Sequence, residues 1–175
     1  DLAGCGEDGK RLSDGGPGQT DAEKFGVIDN PLKDRWTYHA VGNVIRAHSL
    51  LRSCEEVKGQ KTALTGISWG GYLTCLVSGL DQRFSMTMPV YGCGFLRDNS
   101  VWVESQFSKM AKEDADRWHS FWDPSRYLGA ATMPVMFLNG TNDFAYPMDS
   151  YAKTCDLVTS EKNYSIQLKM PHGHL

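Results

Sequence analysis

Short apolar segments alternate with longer segments of helical periodicity along most of this chain. The apolar segments cover residues 62–66, 85–91, 134–138 and 165–170, and their lengths are those of strands in a sheet. The third segment is apolar throughout and lies between a proline and an Asn-Gly turn, which is typical of a buried parallel strand. The fourth carries apolar residues at alternate positions, which also predicts a strand.

Helices are predicted between these strands. From Thr37 to about Ser53 apolar residues recur at helical spacing, with Thr37 as the N-cap. The apolar face includes His48, which we interpret as a hydrogen-bonded histidine of the core rather than a base. A second apolar helix follows a glycine-rich turn at residues 66–71. This alternation predicts an α/β fold, with a mostly parallel sheet of about four strands flanked by helices.

The composition is that of a globular chain and excludes several classes of partner. Hydrophobic residues make up 41% of the 175 positions, yet no apolar run reaches the length that crosses a membrane. The formal net charge is -3 and no Lys/Arg-rich run occurs, which argues against nucleic acid and anionic membranes as partners. Five scattered cysteines predict no dense disulfide framework, and the compartment stays open.

Two segments differ from the rest in composition. Residues 1–24 are rich in Gly, Asp and Ser, which predicts a loop that connects more regular elements. Residues 100–128 are rich in aromatic side chains. Their helical spacing favours packing in the core, although aromatic faces also stack on sugar rings and would suit a carbohydrate-facing wall.

The sequence Gly66-Ile67-Ser68-Trp69-Gly70-Gly71 stands between a predicted strand and a predicted helix. In that context the G-x-S-x-G pattern predicts a nucleophile elbow, a strained turn that holds the Ser68 hydroxyl above the end of the strand. The flanking glycines let the strand and helix backbones approach closely. The positive N-terminal end of the helix would favour negative charge beside the serine. Without catalytic partners the same pattern describes only a tight strand-to-helix turn.

Both partners that a serine nucleophile requires follow predicted strands further along the chain. Asp143 ends a turn-rich loop after the third strand, and His172 and His174 follow the fourth. Asp123 is a rival acid, but it precedes a helix instead of following a strand. The two histidines lack the further ligands of a zinc site, so no metal is expected. A serine, an aspartate and a histidine, in that order and each at the end of a strand, predict a catalytic triad.

These motifs together resemble the α/β-hydrolase superfamily. The resemblance rests on the serine motif, on residues 139–147 and on the closing His-Gly-His sequence. Within the superfamily the chain is similar to the dienelactone hydrolase-like and acetyl xylan esterase-like branch, which borders the prolyl oligopeptidase catalytic domain. Residues 89–94 and 122–128 fit the same branch, and the likeness extends over nearly the whole chain.

The resemblance implies roles for individual residues. In much of the superfamily the catalytic histidine follows a small residue a few positions past the last strand, which favours His174, after Gly173, with His172 as the alternative base. The backbone N–H of Trp69 would be one donor of the oxyanion hole. No metal or organic cofactor is implied. Candidates to line the substrate pocket are Tyr91, Trp122 and Tyr146.

The resemblance also implies that residues 1–175 form the C-terminal portion of one α/β-hydrolase catalytic domain. The family's first four strands and its second oxyanion donor would precede residue 1, and its last helix would follow Leu175. The N-terminal half of the domain would then be a required partner. Assembly into a homo-oligomer is a further expectation. In such a domain residues 1–24 would lie at the rim of the pocket, and residues 100–128 would form a cap-like segment.

The expected activity is that of a serine hydrolase that cleaves carboxylic esters through an acyl-enzyme. Likeness to the acetyl xylan esterase branch implies a small-molecule or carbohydrate ester as the substrate. One alternative is a serine peptidase of the prolyl oligopeptidase type, which a β-propeller upstream in the gene would favour. The other alternative is an inactive hydrolase-fold fragment that acts as a binding module.

Overall fold

The computed structural model describes residues 4–26, 28–58 and 61–173. Four strands form one sheet in the order β1-β2-β3-β4, and each neighbouring pair is parallel. The strands are β1 (Ala63–Ile67), β2 (Met86–Val90), β3 (Val135–Asn142) and β4 (Lys162–Pro171). The predicted α/β fold, with a parallel sheet of about four strands flanked by helices, is confirmed.

The helices lie between and before these strands. Their bounds are α1 (Asp21–Phe25), α2 (Trp36–Ser53), α3 (Trp69–Leu80), α4 (Leu96–Asn99), α5 (Trp102–Ser105), α6 (Lys112–Trp122) and α7 (Met148–Leu157). The N-cap position of α2 is held by Arg35, so the prediction that Thr37 caps this helix was wrong; Thr37 is instead buried in its first turn. Within the described residues no helix combines the length and the apolar character needed to cross a membrane.

β3 and β4 extend further than their apolar segments. β3 continues to Asn142, through residues that resemble a turn when read locally, and β4 covers ten residues. Their pairing runs from Val135 with Lys162 to Asn142 with Pro171. Each strand supplies hydrogen-bond partners to the other, and this long-range pairing overrides the local turn preference of the Asn-Gly-Thr-Asn sequence.

Gly140 permits the close approach of β3 and β4 near their carboxyl ends. A Cβ at Gly140 would lie 2.0 Å from the carbonyl oxygen of Met170, so a larger residue would force the strands apart. The register shifts between Gly140 and Asn142. As a result Asp143 and His172, which follow the neighbouring strands β3 and β4, lie at the same end of the sheet.

The helices cover one face of the sheet. α3 lies against β1 and β2, α7 lies against β3, and α2 packs on α3. On β3 the side chains of Val135 and Phe137 are fully buried beneath these helices. Along β1 the alternate residues Ala63, Thr65 and Ile67 are exposed on the other face, Ile67 at 48%. Parallel sheets are ordinarily covered on both faces, and in the described part of the chain this second face is open.

The aromatic segment 100–128 packs into the core. Its buried rings surround Phe25 of α1, whose centroid lies 5.1 Å from Trp118 and 5.4 Å from Phe107. This is the core packing that helical spacing favours, and only Phe121 among the described phenylalanines and tryptophans of the segment is substantially exposed. α1 begins inside the predicted 1–24 loop because Thr20 and Glu23 form a capping box.

His48 is a buried histidine with both ring nitrogens hydrogen-bonded. Nδ1 lies 2.9 Å from Asp81 Oδ2 and Nε2 lies 2.7 Å from Thr62 Oγ1, and the ring stacks on Phe84 at 3.6 Å. This geometry confirms the interpretation of His48 as a core residue. Burial alone would raise the pKa of Asp81, but hydrogen bonds from Arg83 and His48 hold that pKa well below its usual value.

Candidate active site

Ser68 occupies a strained turn between β1 and α3. Its φ of 59° lies in the left-handed region, which side-chain-bearing residues rarely adopt, and its ψ is -117°. The turn is held from two directions. The Ser68 N–H donates to the carbonyl oxygen of Val90 on β2 at 3.0 Å, and the Ser68 carbonyl accepts from the N–H of Tyr72 at 2.9 Å. Such contacts stabilise an otherwise unfavourable backbone conformation.

Two glycines of the turn have no room for a side chain. A Cβ at Gly66 would lie 2.3 Å from the carbonyl oxygen of Gly70, and a Cβ at Gly71 would lie 2.4 Å from that of Val90. Gly70 itself has nothing within 4 Å of the position that a Cβ would take. The close approach of β1, α3 and β2 therefore requires Gly66 and Gly71, while Gly70 is not needed for space.

Trp69 begins α3, so its N–H has no acceptor within its own helix. The positive end of the helix dipole adds to the attraction for a negative charge at this point. The Trp69 ring is fixed by aromatic neighbours, with Trp102 and Tyr72 at 4.8 Å, and by the ammonium of Lys24 at 4.0 Å from the ring centroid. Burial lowers the pKa of Lys24, and the carboxylate of Asp21 partly offsets this effect.

His172 joins Ser68 to Asp143. Its Nε2 lies 2.8 Å from Ser68 Oγ, and its Nδ1 lies 2.8 Å from Asp143 Oδ2. A carboxylate only accepts hydrogen bonds, so the arrangement is satisfied when Nδ1–H donates to Asp143 and Nε2 accepts from the Ser68 hydroxyl. The two short contacts place an imidazole against the serine and a carboxylate behind that imidazole.

Asp143 is itself held in a fixed orientation. Its Oδ1 accepts hydrogen bonds from the backbone N–H groups of Ala145 and Tyr146, both at 2.8 Å, which leaves Oδ2 for the imidazole of His172. The residue is 7% exposed. A buried carboxylate with three hydrogen-bond donors is well suited to orient an imidazole and to stabilise it when it becomes cationic.

Three aromatic rings surround the imidazole of His172. The centroid distances are 4.6 Å to Tyr91, 5.6 Å to Phe144 and 5.7 Å to Tyr146. The Tyr91 hydroxyl also donates to the carbonyl oxygen of Gly173 at 3.1 Å. Phe144 is 64% exposed and is the most accessible of the three rings. No sequence pattern pointed to Phe144, because its place beside the imidazole depends on the register of β3 and β4.

The sequence profile of the prolyl oligopeptidase family matches residues 29–175. The chain belongs to the prolyl oligopeptidase family. It is therefore a member of a family of serine hydrolases, in agreement with the resemblance drawn from its motifs. No curated protein sequence gives a significant match.

Solved structures similar to this family member include esterases and peptidases. An acetyl xylan esterase from Paenibacillus sp. R4 matches with a TM-score of 0.82 and 20% identity, over 100% of this chain and 60% of the esterase. Acetyl Xylan Esterase 1 from Thermoanaerobacterium sp. JW/SL YS485 matches with a TM-score of 0.75 and 14% identity, over 94% of this chain and 57% of the other. The acylaminoacyl peptidase of Pyrococcus horikoshii matches with a TM-score of 0.67 and 19% identity, over 79% of this chain and 24% of the peptidase.

These likenesses show the fold, which is that of α/β-hydrolases. The chain spans about 60% of the length of the two esterase structures and about a quarter of the peptidase.

The structure brings together some of the predicted site residues of this family member and separates others. Ser68, Asp143 and His172 come together, and His174 lies outside the described residues. Tyr91 and Tyr146 adjoin the imidazole and are 3% and 0% exposed.

Trp122 and Asp123 lie at the end of α6, and both accept hydrogen bonds within the core. The carbonyl oxygen of Trp122 accepts from the Tyr72 hydroxyl at 2.6 Å. The Asp123 carboxylate accepts from the N–H groups of Phe95, Leu96 and Ser125, each at 2.9 Å. Burial alone would raise the pKa of Asp123, but His119 and the hydrogen bonds from Ser125 and Leu96 hold that pKa below its usual value. Asp123 thus stabilises the start of α4 and the turn after α6.

Proposed function

We propose that this chain carries the catalytic residues of a serine hydrolase that cleaves carboxylic esters. The observation that carries the proposal is the pair of 2.8 Å contacts that link Ser68 Oγ to His172 Nε2 and His172 Nδ1 to Asp143 Oδ2. In this proposal Ser68 is the nucleophile of a catalytic triad, His172 is the general base, and Asp143 orients the imidazole. The strained turn at Ser68 acts as a nucleophile elbow.

The first step is formation of an acyl-enzyme. Ser68 Oγ attacks the ester carbonyl carbon while His172 Nε2 takes the hydroxyl proton, and the resulting imidazolium is stabilised by Asp143. The tetrahedral intermediate then collapses. The bond from carbon to the alcohol oxygen breaks, and His172 gives its proton to the departing alcohol.

The second step is hydrolysis of the acyl-enzyme by water. His172 takes a proton from the water as its oxygen attacks the acyl carbon, and Ser68 leaves with that proton while the free acid forms. In both steps the carbonyl oxygen carries negative charge. We propose that the Trp69 N–H donates to this oxyanion and that a second donor comes from a segment of the domain outside these residues.

We assign the base to His172 instead of His174. The apolar segment ends at Met170, and His174 lies four residues past that point. The strand itself continues to Pro171, so the residue directly after it is His172, and both of its ring nitrogens are engaged by Ser68 and Asp143.

Two observations bear on the choice between an ester and a peptide. The likeness to the Paenibacillus esterase extends over the whole chain, whereas the acylaminoacyl peptidase matches 79% of it. We therefore favour a small or carbohydrate ester as the substrate. The match to the prolyl oligopeptidase family profile supports a serine peptidase as the second candidate.

The test uses the complete gene product and its Ser68→Ala variant. A fluorophosphonate probe should label the wild type and not the variant. Turnover of p-nitrophenyl acetate and of acetylated xylo-oligosaccharides should exceed turnover of an N-blocked peptide p-nitroanilide. Faster peptide cleavage would favour the peptidase. Labelling or ester turnover that survives Ser68→Ala would overturn the assignment of the nucleophile, and the absence of both from the wild type would favour a binding module.

A further inference from the structure

Tyr91 holds an unusual backbone conformation at the end of β2. It follows Val90, the last residue of the strand, and its φ is 31°. A positive φ is rare for a bulky residue, and such strain persists only where surrounding contacts stabilise it. Tyr91 is 3% exposed. The strained conformation therefore has to be explained by what the residue contacts.

The backbone at Tyr91 connects the strands that carry the serine and the aspartate. The Tyr91 N–H donates to the carbonyl oxygen of Leu138 on β3 at 2.7 Å, five residues before Asp143. The carbonyl oxygen of the preceding Val90 accepts the Ser68 N–H at 3.0 Å. The peptide between Val90 and Tyr91 is thus tied to the turn of the serine on one side and to the aspartate strand on the other.

The side chain of Tyr91 contacts the end of β4, next to the histidine. Its hydroxyl donates to the carbonyl oxygen of Gly173 at 3.1 Å, and its ring meets the imidazole of His172 edge-on, with centroids 4.6 Å apart and planes at 67°. Burial raises the pKa of the Tyr91 phenol. The hydroxyl therefore keeps its proton, and with it the hydrogen bond to Gly173, throughout the neutral range.

We propose that Tyr91 is a positioning residue that fixes the imidazole of His172 between Ser68 and Asp143. Its hydroxyl anchors the residue that follows His172, and its ring limits rotation of the imidazole. The inference rests on the proposed function, because it assigns Tyr91 to the support of the same base. It replaces the sequence-based expectation that Tyr91 lines the substrate pocket.

The burial of Tyr91 and the partner of its hydroxyl separate this role from direct contact with the substrate. A residue that is 3% exposed presents almost no surface to a ligand. The hydroxyl donates to the carbonyl oxygen of Gly173, a partner within the protein. Loss of the hydroxyl should therefore change the rate of the chemical steps and leave substrate binding unchanged.

The experiment compares Tyr91→Phe with Tyr127→Phe in the complete gene product. Tyr127 is the matched control because its hydroxyl also donates to a backbone carbonyl, that of Phe121 at 2.7 Å, and because it lies outside the contacts described for Ser68, His172 and Asp143. Each variant removes one hydroxyl and keeps the ring. We would measure kcat and KM for p-nitrophenyl acetate, the melting temperature, and the downfield Nδ1–H proton resonance of His172, which is identified by its loss in His172→Gln.

Tyr91→Phe should lower kcat about fivefold, the equivalent of one hydrogen bond, and leave KM unchanged. It should also broaden or shift the Nδ1–H resonance, while Tyr127→Phe leaves kcat and the resonance as in the wild type. A wild-type kcat in Tyr91→Phe, an equal loss in Tyr127→Phe, or a lowered kcat with an unchanged resonance would each overturn the proposal. Loss of the fold in Tyr91→Phe would do the same, because it would assign Tyr91 a general structural role.

The proposed function is tested separately in the same series. If Ser68→Ala retained wild-type turnover, the hydrolase assignment would fail at its nucleophile. The Nδ1–H resonance reports the contact between His172 and Asp143 whether or not Ser68 reacts, so the effect of Tyr91 on His172 would still be decided.

Discussion

Ser68 Oγ and His172 Nε2 lie 2.8 Å apart although 104 positions separate the two residues in the chain. The sheet creates this proximity. Ser68 follows β1 and His172 follows β4, at opposite ends of the strand order, while Asp143 follows β3. All four strands are parallel, so their carboxyl ends lie at the same end of the sheet. The loops at that end bring the three side chains into contact.

The first prediction concerns the identity of the base. His172→Gln should lower kcat for ester hydrolysis by about four orders of magnitude, because no other group among the described residues is placed to take the proton of Ser68. Asp143→Asn should cause a loss of similar size, because the amide would favour the wrong imidazole tautomer. The measurement is steady-state hydrolysis of p-nitrophenyl acetate.

His174→Gln is the matched comparison, since it makes the same substitution two residues later. We expect a much smaller effect on kcat than that of His172→Gln. If the order of the two effects were reversed, the base would be His174, and the contact between His172 and Ser68 would not be the catalytic one.

The second prediction distinguishes the glycines around Ser68. Gly66→Ala and Gly71→Ala should each destabilise the protein by about 1–3 kcal/mol and reduce labelling by a fluorophosphonate, because the added methyl group would collide with a carbonyl oxygen less than 3 Å away. Thermal unfolding and labelling rates provide the measurement.

Gly42→Ala in α2 is the control for this substitution. Nothing lies within 4 Å of its Cβ position, and alanine in the interior of a helix should stabilise it by about 0.5–1 kcal/mol. Gly70→Ala should also fold normally. Equal losses at Gly66 and Gly70 would contradict the geometry of the turn.

The third prediction concerns the buried contact between His48 and Asp81. Asp81→Asn should lower the free energy of unfolding at pH 7 by about 1–3 kcal/mol, because Arg83 loses its charged partner and the buried imidazole loses its strongest acceptor. Asp29→Asn should have almost no effect, since the Asp29 side chain is 98% exposed.

Asp81→Asn should also change how the free energy of unfolding depends on pH in acid. The pKa of Asp81 is lowered in the folded protein, so its contribution to stability is present above the unfolded-state pKa of about 3.9 and is lost as the pH falls below that value. The stability difference between wild type and Asp81→Asn should therefore shrink between pH 5 and pH 2. A constant difference across this range would show that the carboxylate charge is not responsible.

The fourth prediction concerns the edge of the sheet. β1 pairs only with β2 in the described part of the chain, and the face that carries Ile67 is open. Unpaired strand edges recruit other strands, so the 175-residue chain expressed alone should self-associate. Analytical ultracentrifugation over a range of concentrations would measure this.

Ala63→Lys should reduce that association, because a charge on an edge strand opposes the approach of another chain. Ala152→Lys places the same charge on an exposed position of α7 and should leave association unchanged. A monodisperse monomer for the unmodified chain would show that the edge of β1 is not a site of association.

Local sequence patterns determined the parts of this protein that depend on neighbouring residues. The G-x-S-x-G motif between a strand and a helix identified the turn at Ser68, because glycine spacing and hydrophobic periodicity act within a few residues. The order of serine, aspartate and histidine after the first, third and fourth strands predicted Ser68 and Asp143 as partners. The apolar periodicity around His48 placed that residue in the core, where the structure shows it.

Only the tertiary structure decided which histidine contacts the serine and what Tyr91 does. The apolar pattern of the last strand ends at Met170, but pairing with β3 carries β4 to Pro171 and brings His172 directly to Ser68 and Asp143. The positive φ of Tyr91 and its hydrogen bond to Gly173 likewise depend on contacts between β2 and the end of β4. Sequence periodicity encodes the local conformation of a segment, whereas strand register and long-range contact set where a segment ends and which side chains meet.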